Sequence, residues 1–200
     1  MVDPYFSPYA GSSDLTLAQE SLIWSVDAMA SKGGKQGTTA RVWRRGLAQF
    51  LFWYNVNMVV AVTQHEVFGH GYRLRELGVR PKGYMVSPWG GWTSFNVGPS
   101  FRVGNLQAMV VAGLEAGGIL ARDLKVQWIG QGEIDGRLST TYTQAAQSLF
   151  WYTLITHRVR LKGDEASDGN DIEAYLKLHQ NIDADTPSFR EERKRRSFFV

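Results

Sequence analysis

The stretch Leu47 to Thr63, LAQFLFWYNVNMVVAVT, is apolar apart from a Gln, two Asn and a Thr, and it runs without a break into Gln64-His65-Glu66. It reads as one helix continuing through about Leu77, with Gly78 as its C-terminal stop. Arg41, Arg44 and Arg45 stand in front of it. A second apolar stretch, Leu106 to Ala121, holds five small residues between Ala112 and Gly118, a composition that lets helices approach closely inside a membrane. A third, Ala145 to Ile155, is short. None of the three reaches the roughly eighteen uninterrupted apolar residues of a self-evident transmembrane helix. Together they predict a mainly α, membrane-embedded helical bundle whose polar groups serve an active site, because ionisable residues inside a bilayer are usually functional. The mean hydropathy of −0.25 pulls the other way, toward a soluble helical core.

Composition narrows the chemistry. The chain has 200 residues, 44% of them apolar and 20% charged, enough to bury one core and too apolar for a disordered tail. It has no cysteine, which excludes disulfide scaffolds, thiolate metal sites and a thiol nucleophile. Any metal must be held by His, Asp and Glu. The net charge is +3, with basic residues clustered at Arg41 to Arg45, Arg73 to Lys82 and Arg190 to Arg196. Each cluster flanks apolar sequence and no nucleic-acid motif is present, so the expected partner is a lipid bilayer and not a nucleic acid. The start, Met1 to Gly11, lacks the basic and apolar regions of a secretory signal, and the expected location is the membrane, with the cytoplasm as the alternative.

The other segments read more simply. Leu15, Ala18, Leu22, Val26 and Met29 fall at helical spacing behind Ser13-Asp14, predicting an amphipathic helix over Leu15 to Ala30. Val79 to Val103 is rich in Gly, Pro and aromatics and reads as a small extended or hairpin insertion around Pro88-Trp89-Gly90-Gly91. Residues 1–181 form a single expected domain, and residues 182–200 a basic polar tail.

His65-Glu66-Val67-Phe68-Gly69-His70 carries the chemistry. Two imidazoles with a carboxylate beside the first match zinc-hydrolase logic, in which the histidines hold the metal and the Glu accepts a proton from metal-bound water. The usual spacing of four places the two rings about 40° apart around a helix, whereas five places them about 140° apart. A single π-type turn absorbs the extra residue and returns both rings to one face, and Gly69 and Gly71 ease that distortion.

His65-Glu66-Val67-Phe68-Gly69-His70 followed by Gly71-Tyr72 is similar to the extra-residue motif of dipeptidyl peptidase III, a zinc peptidase. The wider order resembles the site-2 protease family of intramembrane zinc metalloproteases: a basic Leu-Gly segment at Arg73 to Val79, then Ser87-Pro88-Trp89-Gly90-Gly91, then Ala112-Gly113, then Asp168-Gly169. Leu114 replaces the family's Pro, and the Asn expected after it is missing. The resemblance implies Zn(2+) as cofactor, a peptide or membrane-protein segment as substrate, and Asp168 of Asp168-Gly169 as the third ligand.

Glu115 is preferred for that third position, because an unpaired carboxylate in an apolar, glycine-rich helix costs several kcal/mol and is expected to bind a metal or an arginine such as Arg73 or Arg122. Asp168 and Asp171 are the alternatives, in an acidic, turn-like stretch that most simply reads as a solvated loop and does not complete a calcium-binding loop. Trp89, Gly90 and Gly91 are candidate substrate contacts, and Trp89, Trp92 and Phe95 suit a substrate entrance or a bilayer interface. His157 and His179 read as surface residues, and Asn55 and Asn57 as polar pairing groups within the bundle. The expected function is zinc-dependent peptide hydrolysis with His65, His70 and Glu115 as ligands and Glu66 as base. The alternatives are a non-catalytic membrane module with a structural His-Glu cluster and, further off, another metal-dependent hydrolase or a di-iron protein, for which the second Glu-x-x-His helix is missing.

Overall fold

Pro8 opens the first helix, α1 (Pro8–Ser31), where a missing N–H costs nothing, and Ser7 Oγ accepts the Ala10 N–H at 3.3 Å. The helix begins before the apolar spacing from Leu15 implies, because the face it buries is largely polar: Ser12, Thr16, Gln19 and Ile23. Leu15, Leu22 and Val26 pack half-buried beside that face, while Leu17, Trp24 and Met29 are exposed. The computed structural model describes residues 6–31, 38–98, 101–161 and 170–182. The expected basic tail lies outside them, except for Ile182.

A continuous helical rod follows, built from α2 (Thr38–Ala48), π1 (Gln49–Trp53), α3 (Tyr54–Thr63), π2 (Gln64–His70) and α4 (Gly71–Glu76). Gly78 adopts φ 75° and ends it, with the Val79 N–H donating to the Leu74 carbonyl at 2.8 Å. The extended insertion is a two-stranded antiparallel hairpin, β1 (Gly83–Ser87) and β2 (Gly90–Ser94), with Gly83 opposite Ser94 and Ser87 opposite Gly90. Next comes α5 (Val103–Gln131), capped by left-handed Gly132, whose N–H donates to the Trp128 carbonyl at 2.9 Å. It runs well past Ala121 because Leu124 and Trp128 prolong the buried face, while Arg122 and Lys125 face outward. The bundle is completed by α6 (Ser139–Leu161) and α7 (Asp171–Ile182).

The molecule is thus mainly helical with one small sheet, and α5 is its centre. Leu120, Leu124 and Trp128 of α5 meet Trp53 and Val60 of the rod, Ile23 of α1, and Ala145 of α6. A smaller cluster, Leu74, Met109 and Val110, is covered by Phe95 and by Tyr175 and Leu178 of α7. A polar ladder runs between the helices. Gln19 Nε2 donates to Asn57 Oδ1 at 2.9 Å and to Thr141 Oγ1 at 3.0 Å, and Asn57 Nδ2 donates to the Arg137 carbonyl at 2.6 Å. Nearer the motif, Gln64 Nε2 donates to the carbonyls of Pro8 and Ala116. Asn57 therefore does pair within the bundle, whereas Asn55 only returns to the Leu51 carbonyl of its own helix. At the α5–α6 turn, the Arg137 guanidinium donates to Asp135 and holds that carboxyl below its usual range, against the opposing effect of burial.

Two helical stretches, Arg41–Glu76 and Val103–Gln131, are long and apolar enough to cross a membrane by length and composition. Large apolar side chains lie on the surface of the rod and of α6, and several polar ones lie inside beside the apolar core. Phe50, Leu51, Phe52, Phe150, Trp151 and Ile155 are exposed, while Gln19, Asn57, Gln64, Thr141 and Thr156 are almost wholly buried.

Candidate metal centre

The extra residue between the two motif histidines is absorbed where the sequence predicts it, in the π-helical turn of Gln64–His70. Widening the turn brings both imidazoles to the face that α5 covers. Their Nε2 atoms stand 3.1 Å apart, with the rings nearly perpendicular at 85°. The approach needs small residues. A Cβ on Gly69 would sit 2.7 Å from Gly113 Cα, and a Cβ on Gly113 would sit 2.5 Å from His65 Cε1 and Nε2. The glycine-rich composition of α5 thus serves the histidine as well as the helix crossing. Gly113→Ala drives a methyl into the His65 ring, so we expect at least a tenfold loss of metal affinity with the helical content retained, measured by competition with a chromophoric chelator and by circular dichroism.

Asp171, the first residue of α7, completes the group. Its Oδ2 lies 3.0 Å from His65 Nε2 and its Oδ1 lies 3.4 Å from His70 Nε2. One ligand atom from each of the three residues falls within 4.8 Å of the others. Burial raises the Asp171 carboxyl, but the two imidazoles lower it by more, leaving it at about 2 and therefore ionised at neutral pH. Its buried Oδ2 is the oxygen that faces the His65 nitrogen. Two imidazole nitrogens and a carboxylate around one point are a donor set that could hold a metal ion. His70 Nδ1 donates to the Met109 carbonyl at 2.8 Å, which leaves Nε2 as the atom facing His65 and Asp171, and the Tyr152 ring stacks on His65 at 5.9 Å.

Glu66 lines a cleft of about 310 Å³ beside that turn. It is buried, and Thr93 Oγ1 of β2 donates to its Oε2 at 2.8 Å. The hairpin can close on it only because Gly91 lacks a side chain: a Cβ there would lie 2.8 Å from Glu66 Cγ and 2.6 Å from the Met85 carbonyl oxygen. His65 and Glu66 share the cleft with Trp89, Gly91, Gln144 and Tyr152.

Several expectations are corrected. Glu115 is not beside the histidines. It lies on the outer side of α5 with its side chain 55% exposed, and Arg73 pairs with it at 3.0 Å, which removes the penalty that had favoured it as a ligand. Asp171 stands in its place, not in a solvated loop. Asp168 lies outside the described residues. Gly90 and Gly91 line the cleft, Trp89 projects at its lip 84% exposed, and Phe95 turns inward to the smaller core cluster. His179 is partly covered and stacks on Tyr175, and His157 is partly covered as well.

Sequence reasoning missed α7, Thr93 and Tyr152. A signal for α7 was present: Asn170 before Asp171 with Glu173 following is N-cap chemistry, and Ile172, Tyr175 and Leu176 repeat at helical spacing. Thr93 and Tyr152 carry no such local mark. No protein-family model matches the chain, and neither the curated proteins nor the solved structures contain one significantly similar to it.

Proposed function

We propose that the chain is a zinc-dependent metallopeptidase that hydrolyses peptide bonds within or next to a membrane, with His65, His70 and Asp171 as the zinc ligands and Glu66 as the general base. The observation that carries this reading is the convergence of the two Nε2 atoms, 3.1 Å apart, on the Asp171 carboxylate, with Glu66 between them in sequence and open to the adjoining cleft. The chemistry zinc supplies when bound is Lewis acidity toward a water and a carbonyl oxygen. Glu66, with Oε2 engaged by Thr93, takes a proton from the attacking water and returns it to the departing amine. The Met109 carbonyl fixes the His70 tautomer.

The membrane part of the reading is supported by the exposed aromatic and aliphatic side chains of the rod and α6, by the buried polar ladder between the helices, and by the arginines in the first helix of the rod. The resemblance to site-2 proteases, whose Asp-Gly matches Asp168-Gly169, favours a peptide or membrane-protein segment as substrate. In detergent-solubilised protein, cleavage of fluorescein-labelled casein or of a single-span peptide is expected to stop with 1,10-phenanthroline and return when zinc is added. Cleavage indifferent to the chelator, or none at all from zinc-loaded protein, overturns the proposal.

A further inference from the structure

Asp171 is set by a device that no active-site motif announces. It is the first residue of α7, and a carboxylate at such a position follows the direction in which its helix enters. The residue before it, Asn170, is buried, and its Oδ1 accepts two hydrogen bonds: from the Glu173 N–H at 3.0 Å, which caps the helix, and from Thr156 Oγ1 of α6 at 3.0 Å. Thr156 is wholly buried, so its hydroxyl has no water to turn to. One helical turn earlier on α6, Tyr152 stacks on the His65 ring. A single face of α6 therefore braces one imidazole directly and the carboxylate through the cap.

We infer that Thr156 and Asn170 are positioning residues for the metal centre: the Thr156-to-Asn170 hydrogen bond locks the start of α7 to α6 and so fixes where the Asp171 carboxylate meets His65 and His70. The inference rests on the proposed zinc site. The distances leave little slack, since Asp171 stands 3.0 Å and 3.4 Å from the two Nε2 atoms and a metal ligand must be placed within a few tenths of an ångström.

Thr156→Val isolates the device. It removes the hydroxyl and keeps the branched shape, and Asn170 still accepts the Glu173 N–H, so the cap survives and only the tie between the helices is lost. Full-length protein in detergent is titrated with zinc against a chromophoric chelator, and with cobalt(II), whose visible absorption reports tetrahedral geometry. We expect Thr156→Val to weaken zinc binding about tenfold and Asn170→Ala by 10- to 100-fold, both with reduced cobalt absorption, and Asn170→Asp, which keeps an acceptor oxygen, to stay within about threefold of the unmodified protein. A cap that merely stabilised α7 would lower the melting temperature and leave affinity and cobalt spectrum unchanged in the folded protein. That result overturns the inference while the zinc site stands. Absence of metal binding in the unmodified protein overturns both.

Discussion

Protein purified in mild detergent without chelators is expected to carry about one zinc per chain, and His65→Ala, His70→Ala and Asp171→Ala are each expected to lose it, while Glu115→Ala keeps it. Removing one of three protein ligands leaves a pair, and two ligands do not hold zinc through purification. The contrast between the two carboxylates gives the measurement its force. Asp171 lies between both imidazoles, whereas Glu115 is neutralised by Arg73 on the outside of α5. Metal content by mass spectrometry decides the matter. Zinc retained in Asp171→Ala and lost in Glu115→Ala reverses the assignment, and no zinc in the unmodified protein even after it is added back leaves the His-Glu cluster a structural feature of a helical module.

Glu66→Gln is expected to lower the rate of peptide hydrolysis by 10²- to 10⁴-fold while the zinc content stays at the unmodified level. The amide keeps the shape of the carboxylate and accepts the Thr93 hydrogen bond through its oxygen, so the cleft and the hairpin above it are preserved. It cannot accept the proton of the attacking water. Loss of turnover together with loss of metal would instead make Glu66 part of the metal's own support, and unchanged turnover would remove it from the chemistry. Measuring turnover and metal in the same preparations separates these outcomes.

Much of this architecture could be read in advance where the cause is local. The uninterrupted apolar run into His65, the stop at Gly78 and the hairpin around Gly90-Gly91 follow from neighbouring residues, and the π turn follows from the arithmetic of a five-residue spacing. The carboxylate that joins the two histidines resisted for a physical reason. The penalty for a lone carboxylate in an apolar helix depends on which way it faces and on what reaches it. Arg73 is far from Glu115 in sequence but pairs with it across the crossing of α4 and α5. Asp171 has the opposite problem, because its acidic neighbourhood suggests a wet loop until α7 packs Ile172 and Leu176 inward and carries it to the histidines. The start of α1 was obscured in a related way. Its buried face is polar, and a search for apolar spacing finds the half-buried flank.

The wide turn at Gln64–His70 also changes the rotational phase of everything after it. Ahead of it the rod turns Trp53, Asn57 and Val60 toward its neighbours, Gln64 and His70 do so at its two ends, and Leu74 does so beyond it. One added residue inside the turn leaves both ends of the rod correctly aimed. A histidine-pair pattern kept with a ruler, as a fixed count between two histidines, passes over this chain, whereas one kept with a protractor, as an angle about the helix axis, retains it.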